Sequence, residues 1–127
     1  MDKAALVNIE LERGAEILRA LDNAGLKVKV IVWLLLPEYD EWRLVLASPE
    51  FDAANPIEAY GLVHKALDAA KFPAEQTPPL LILPMSDTSI RALRRVSGKA
   101  KSVLGMRLGG QMIGDRFVED GYAYRIS

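Results

Sequence analysis

Apolar residues recur at spacings of three and four from Val7 to Leu21, with Leu11, Gly14, Ala15 and Leu18 between them. That spacing predicts a helix over residues 3–24, apolar on one side and carrying Glu10, Glu12, Arg13, Glu16 and Arg19 on the other. Gly25 is a suitable stop, since glycine takes the left-handed conformation cheaply. From Val28 to Leu36 the helical period disappears and the residues are almost all apolar. Such a run predicts a central strand buried on both faces. Pro37–Glu41 connects it to a return strand, Trp42–Ala47, with Trp42, Leu44 and Leu46 on one side and Arg43 and Val45 on the other. The pairing brings Trp33 and Trp42 near each other. Ser48 and Pro49 end the return strand, and residues 50–54 are expected to be a loop.

A second helix starts at a clear signal. Asn55 is the N-cap, Pro56 occupies the first helical position and Glu58 stands three residues after the cap. Tyr60, Val63, Leu67 and Ala70 give its apolar face, and the helix runs to about Lys71. A loop rich in proline precedes a short strand, Leu80–Met85. Ser86 and Asp87 then open a third helix. Its stripe contains Ile90, Leu93, either Val96 or Ser97, Ala100, and either Val103 or Leu104. Gly98 weakens that helix by about 1 kcal/mol relative to alanine, so a break is expected there. The tail from Met106 to Ile126 is β in character. Ile113-Gly114-Asp115-Arg116 offers a two-residue turn with glycine first. Asp120-Gly121 is either a second turn or a bulge.

The order is α-β-β-α-β-α-β-β. It predicts a single α+β domain over residues 1–127, a five-stranded mixed sheet with helices mostly on one face. The length of 127 residues and an apolar fraction of 50% suit one domain with a real core. There is no cysteine, so no oxidising compartment is needed. The start Met1-Asp2-Lys3 lacks the basic and apolar stretches of a signal peptide. Val30–Leu36, the longest apolar run, is far short of the ~20 residues that span a membrane. A soluble, cytoplasmic protein without a membrane partner is expected.

The Gly114–Ile126 tail and the hairpin from Trp33-Leu34-Leu35-Leu36 to Glu41-Trp42-Arg43-Leu44-Val45 resemble strands of small bacterial proteins with no assigned function. The similarity extends over most of the chain. It implies a prokaryotic stand-alone domain and supplies no catalytic or binding residue. It also favours one long terminal strand with Gly121 as a bulge over an Asp-Gly hairpin.

Candidate chemistry is sparse. One histidine, His64, and no cysteine leave no thiolate site and no site with two histidine ligands. Tyr60, His64 and Asp68 can share a helix face, but no nucleophile stands near them in sequence. Glu119 and Asp120 point to opposite sides of a strand, and Asp40 and Glu41 are too few carboxylates for a hard cation. Gly105, Gly109, Gly110 and Gly114 do not have the dinucleotide-binding spacing. Ser97-Gly98-Lys99-Ala100 lacks the hydroxyl and first glycine of a P-loop. No catalytic set, cofactor or metal is expected.

Two features remain. The net charge is −1, but residues 1–63 carry 6 basic and 11 acidic side chains, against 10 and 6 in residues 64–127. Arg91, Arg94, Arg95, Lys99, Lys101 and Arg107 form a basic segment, with no acidic residue between Asp87 and Asp115. The simplest account is a solvated face; the alternative is a polar interface. The second feature is the turn at Ser86, Thr88 and Ser89 with Arg91 one turn on. Free amides and hydroxyls at a helix start favour an anion, although Asp87 can cap the helix itself. The leading expectation is therefore a non-enzymatic module that binds another protein or itself. Nucleic-acid or anionic-ligand binding through residues 91–107 and Ser86–Ser89 comes second, and an enzyme third.

Overall fold

The computed structural model describes residues 8–97 and 103–127. Helix α1 spans Asn8–Asn23 and is followed by the antiparallel strands β1, Val30–Leu36, and β2, Glu41–Ala47. A one-turn helix α2, Pro49–Asp52, leads into α3, Pro56–Ala69. Strand β3 is Leu80–Ile82 and helix α4 is Thr88–Ser97. Three strands follow: β4, Gln111–Ile113, β5, Arg116–Val118, and β6, Asp120–Ile126.

The main sheet has the order β3-β2-β1-β6, with β3 parallel to β2 and the other pairs antiparallel. The expectation of an α+β domain with a mixed sheet holds. Five strands in one sheet do not: the sheet has four, and β4 and β5 form a separate hairpin. On the side of β6 away from β1, residues 105–108 run alongside without forming a strand, with one bridge from Arg107 to Tyr122. The reason lies in the tail's alternation. Ile113 and Val118 are buried while Met112 and Phe117 are exposed. A ribbon with one apolar face gains more by lying across a sheet than by extending its edge.

Every residue of β1 is buried, as its composition requires of a central strand. Ile31 and Trp33 face one core with Leu44 and Leu46 of β2, under α1 and α3 and with Phe51 of α2. Val30, Val32, Leu34 and Leu36 face a second core with Val45 of β2, under Ile90 and Leu93 of α4 and Ile113 and Val118 of the hairpin. Among the described residues, α1, α2 and α3 thus contribute to one side, but α4 and the hairpin cover the other. Trp33 pairs with Leu44 and Trp42 with Leu35, so the two tryptophans are diagonal neighbours on one face.

Several local expectations shift. The α1 stripe is centred on Ile17, Ala20 and Leu21 rather than Ala15 and Leu18. Residues 50–54 are not all loop: Ser48 accepts the Glu50 N–H at 3.2 Å and Pro49 takes the first position of α2. Asn55 caps α3 as expected, accepting the Glu58 N–H at 2.8 Å. Ala70, assigned to the α3 face, is exposed, and Ala59 and Ala66 are buried instead. Gly121 is neither turn nor bulge: it pairs with Leu34 inside β6, where a Cβ would lie 2.9 Å from Leu108 and 3.0 Å from the Trp33 carbonyl. The register shift comes at Tyr124, between the pairs Ile31–Arg125 and Val32–Ala123. At the open edge of β3, the Ile82 N–H donates to the Tyr60 hydroxyl at 3.1 Å. That contact occupies a group another strand would otherwise use.

Candidate functional site

Asp87 caps α4, accepting from the amides of Ser89 at 2.9 Å and Ile90 at 3.3 Å. Its carboxylate is held in turn by Arg116, whose Nη1 lies 3.0 and 2.8 Å from the two oxygens. The same Nη1 donates to the Ser89 hydroxyl at 2.9 Å, and that hydroxyl donates to the Ile113 carbonyl at 2.7 Å. Thr88 donates its hydroxyl to Asp115. Gly114 lies against the backbone of Thr88 and Ser89, where a Cβ would come within 2.6 Å. It is at φ +65°, as a glycine-first turn between Ile113 and Arg116 demands.

The turn residues are therefore brought together, but with one another and with the hairpin. Thr88 and Ser89 meet Asp115 and Arg116. Ser86 is exposed, and Arg91 is exposed outside this network. The Thr88 hydroxyl holds the Asp115 carboxyl below its usual range, and Asp87 raises Arg116 further. Ser89 has a carbonyl and a guanidinium as partners, so no base activates it. Arg116 was missed by sequence reasoning. It lies 27 residues after Ser89, and only the Gly114-Asp115 turn hinted at its placement.

The basic segment divides. Arg91, Arg94 and Arg95 are exposed on α4. Arg94 Nε donates to the Ser127 carbonyl at 2.7 Å. Arg107 is turned to Asp120, with Nη2 2.9 and 2.8 Å from the carboxylate oxygens, and lies 5.9 Å from the Tyr122 ring centre. Lys99 and Lys101 are outside the described residues. Arg91 and Arg95 form no ion pair among the described residues.

Next to these arginines α4 and β4 enclose an apolar cleft of about 150 Å³. Ala92, Leu93 and Val96 form one wall; Met106, Met112 and Ile113 contribute to the other side. Of the two candidates for the α4 stripe, Ser97 is buried and Val96 is 82% exposed at the rim. Met112 is 60% exposed, and its cross-strand partner Phe117 is 46% exposed. Directly opposed residues share a face of a hairpin. The apolar surface therefore continues from the cleft over Met112 to Phe117. Among the described residues no carboxylate lines the cleft. A single-helix pattern cannot reveal this site, because the rest of its lining comes from residues 106–108 and from β4.

The Tyr60–His64–Asp68 grouping does not assemble: the Tyr60 hydroxyl is engaged at β3 and His64 is exposed. Among the described residues no group of three acidic or histidine side chains could hold a metal. No described helix is long and apolar enough to cross a membrane. No family model, curated protein or solved structure matches the chain.

Proposed function

We propose that this chain is a non-enzymatic protein-binding domain and that it docks its partner in the α4–β4 cleft. The observation that carries this is the continuous exposed apolar surface of Val96, Met112 and Phe117 around a cleft floored by Leu93 and Ile113. Scattered apolar side chains on a surface are ordinary, but a contiguous group beside a concavity marks an interaction site. Methionine suits such a surface, since its flexible thioether adapts to different partners. The cleft is also small. Small-molecule sites usually measure ~300–1,000 Å³, so about 150 Å³ fits an anchoring side chain better than a cofactor.

Two measurements test the proposal together: retention of host proteins by wild-type and Val96→Glu baits, and sedimentation of both forms at low salt. A protein, or a second copy, bound by the wild type and released by Val96→Glu is the expected result. A strict monomer whose two forms retain the same proteins overturns it.

A second reading rests on the arginines. Ser127 donates its N–H to the Lys29 carbonyl at 2.9 Å and accepts from Arg94. Arg91, Arg94 and Arg95 are all exposed on α4, and such a cationic helix suits an anionic polymer such as nucleic acid. Affinity would then fall steeply with salt. Absence of any shift with single- or double-stranded nucleic acid at ~50 mM salt removes it.

A further inference from the structure

We infer that the occupant of the α4–β4 cleft is a basic, amphipathic segment of another protein, which seats an apolar side chain in the cleft and a lysine or arginine at its Phe117 end. The inference rests on the docking role proposed above and names its partner's chemistry. The first ground is charge. Met112 lines the cleft, and its cross-strand partner Phe117 lines a second cavity of about 230 Å³ with Pro37, Glu38, Asp115 and Arg116. The two cavities therefore meet across one face of the hairpin. In the second, Asp87, Asp115 and Glu38 all act on the Arg116 guanidinium, so three carboxylates share one cation. Asp87 holds it most closely, with Nη1 at 2.8 Å, whereas Nε is 3.7 Å from Glu38. Asp115 accepts from the neutral Thr88 hydroxyl. Glu38 and Asp115 are both exposed, and their uncompensated charge is complemented by a cation on the occupant.

The second ground is the ring. Phe117 is 46% exposed in the same cavity as the two carboxylates. An ammonium or guanidinium within about 6 Å of such a ring is attracted by the ring face and by the carboxylates together. The third ground is symmetry. A two-fold dimer through this face would set the same patch against itself. Among the described residues, the cations that line the two cavities are Arg107, paired with Asp120, and Arg116, paired with Asp87. A second copy placed in this way brings no unpaired cation to Glu38 and Asp115, so the cation comes from a different chain. Shape agrees: the cleft accepts one apolar anchor, and Met112 and Phe117 lead from it to the carboxylates. That path fits a segment with apolar residues on one side and a basic residue beside them.

The test is selection from a display library of random peptides, each about 12 residues long, a length suited to a groove of this kind. The full chain serves as bait, and Val96→Asn and Met112→Gln serve as counter-baits. Both substitutions fall at exposed positions, so the fold tolerates them, and both are neutral, so they remove apolar contact without changing charge. The expected pool binds wild type only and is enriched in Lys and Arg beside apolar residues. With Glu38→Gln and Asp115→Asn combined, its affinity falls roughly three- to tenfold and its dependence on salt weakens. A cleft-dependent pool that is neutral or acidic, or that is indifferent to Glu38 and Asp115, overturns the basic partner and leaves the docking site standing. A pool indifferent to Val96 and Met112, or the absence of any pool, overturns the docking site as well. Self-association abolished by Val96→Asn makes a second copy the occupant and overturns the inference. Nucleic acid that binds wild type and is lost with the same substitution does so too.

Discussion

The indole Nε1 of Trp33 donates to the hydroxyl oxygen of Tyr124 at 2.9 Å, and that hydroxyl donates to the Leu11 carbonyl at 2.6 Å. One oxygen therefore ties the central strand, the last strand and α1 together. Alternation along β6 puts this ring on the same side as Tyr122, 5.3 Å away edge to face. Burial pushes the Tyr124 hydroxyl up to about 12.

Tyr124→Phe removes the shared oxygen and strands both the Trp33 N–H and the Leu11 carbonyl. Leaving a buried group unsatisfied costs about 1–3 kcal/mol, so the urea midpoint should fall with an unchanged slope. A midpoint equal to wild type would show that the bond contributes nothing to stability. The pH dependence has a definite sign. The folded value, near 12, lies above the ordinary tyrosine value of about 10, so the contribution is intact below pH ~10 and declines as pH rises towards 12. Alkaline unfolding should be steeper in wild type than in Tyr124→Phe.

Gly14 lies under the Tyr124 ring, where a Cβ would come within 2.6 Å of Cζ. In an exposed helix, alanine would stabilise by about 1 kcal/mol over glycine. Here the ring is held by two hydrogen bonds and cannot retreat cheaply, so Gly14→Ala should destabilise by about 1–3 kcal/mol. A thermal midpoint higher than wild type would contradict the packing of α1 on β6.

Arg116→Ala should loosen the hairpin from α4. It leaves Asp87, whose side chain is only 12% exposed, without its cation. The expected loss is about 1–3 kcal/mol, between surface and fully buried pairs. Amide exchange at Ile113 and Val118 should rise more than in β1. Equal acceleration throughout would mean that the hairpin is not a separate layer.

Thr88→Val removes the hydroxyl that depresses the Asp115 carboxyl. The Asp115 midpoint, followed by carboxyl NMR, should move up towards the ordinary aspartate value. Because the folded value is lowered, its contribution is present above the unfolded value and is lost as pH falls through the folded one. The variant's stability should therefore vary less with acidification. An unmoved midpoint would rule out the Thr88 contact in solution.

Val32→Asp and Val96→Asp separate inside from outside. Val32 is fully buried in the second core and offers a carboxylate no partner, whereas Val96 is 82% exposed. The first should cost several kcal/mol or raise its own pKa strongly, and the second about 0.5 kcal/mol or less. Comparable thermal midpoints would invert the assignment of faces.

Features set by local chemistry are legible in the order of residues. Asn55, Pro56 and Glu58 mark the start of α3 because capping is settled within four residues. Val30–Leu36 declares a strand covered on both sides because it contains no polar residue. Gly114 announces its turn because few residues accept that backbone. Features that depend on which surfaces meet are settled only by packing. Whether Val96 or Ser97 is buried is undetermined by spacing alone, since both neighbour the stripe. Packing buried Ser97 and left Val96 at the cleft rim. The turn at Ser86–Ser89 reads as an open helix start because its partners, Asp115 and Arg116, arrive from a hairpin more than twenty residues away. The hairpin's own place, across the sheet rather than at its edge, follows from burying Ile113 and Val118 against β1's second face. An alternating ribbon contains the information that one side must be covered, but not which surface will cover it; that choice is made by the free energy of the assembled core.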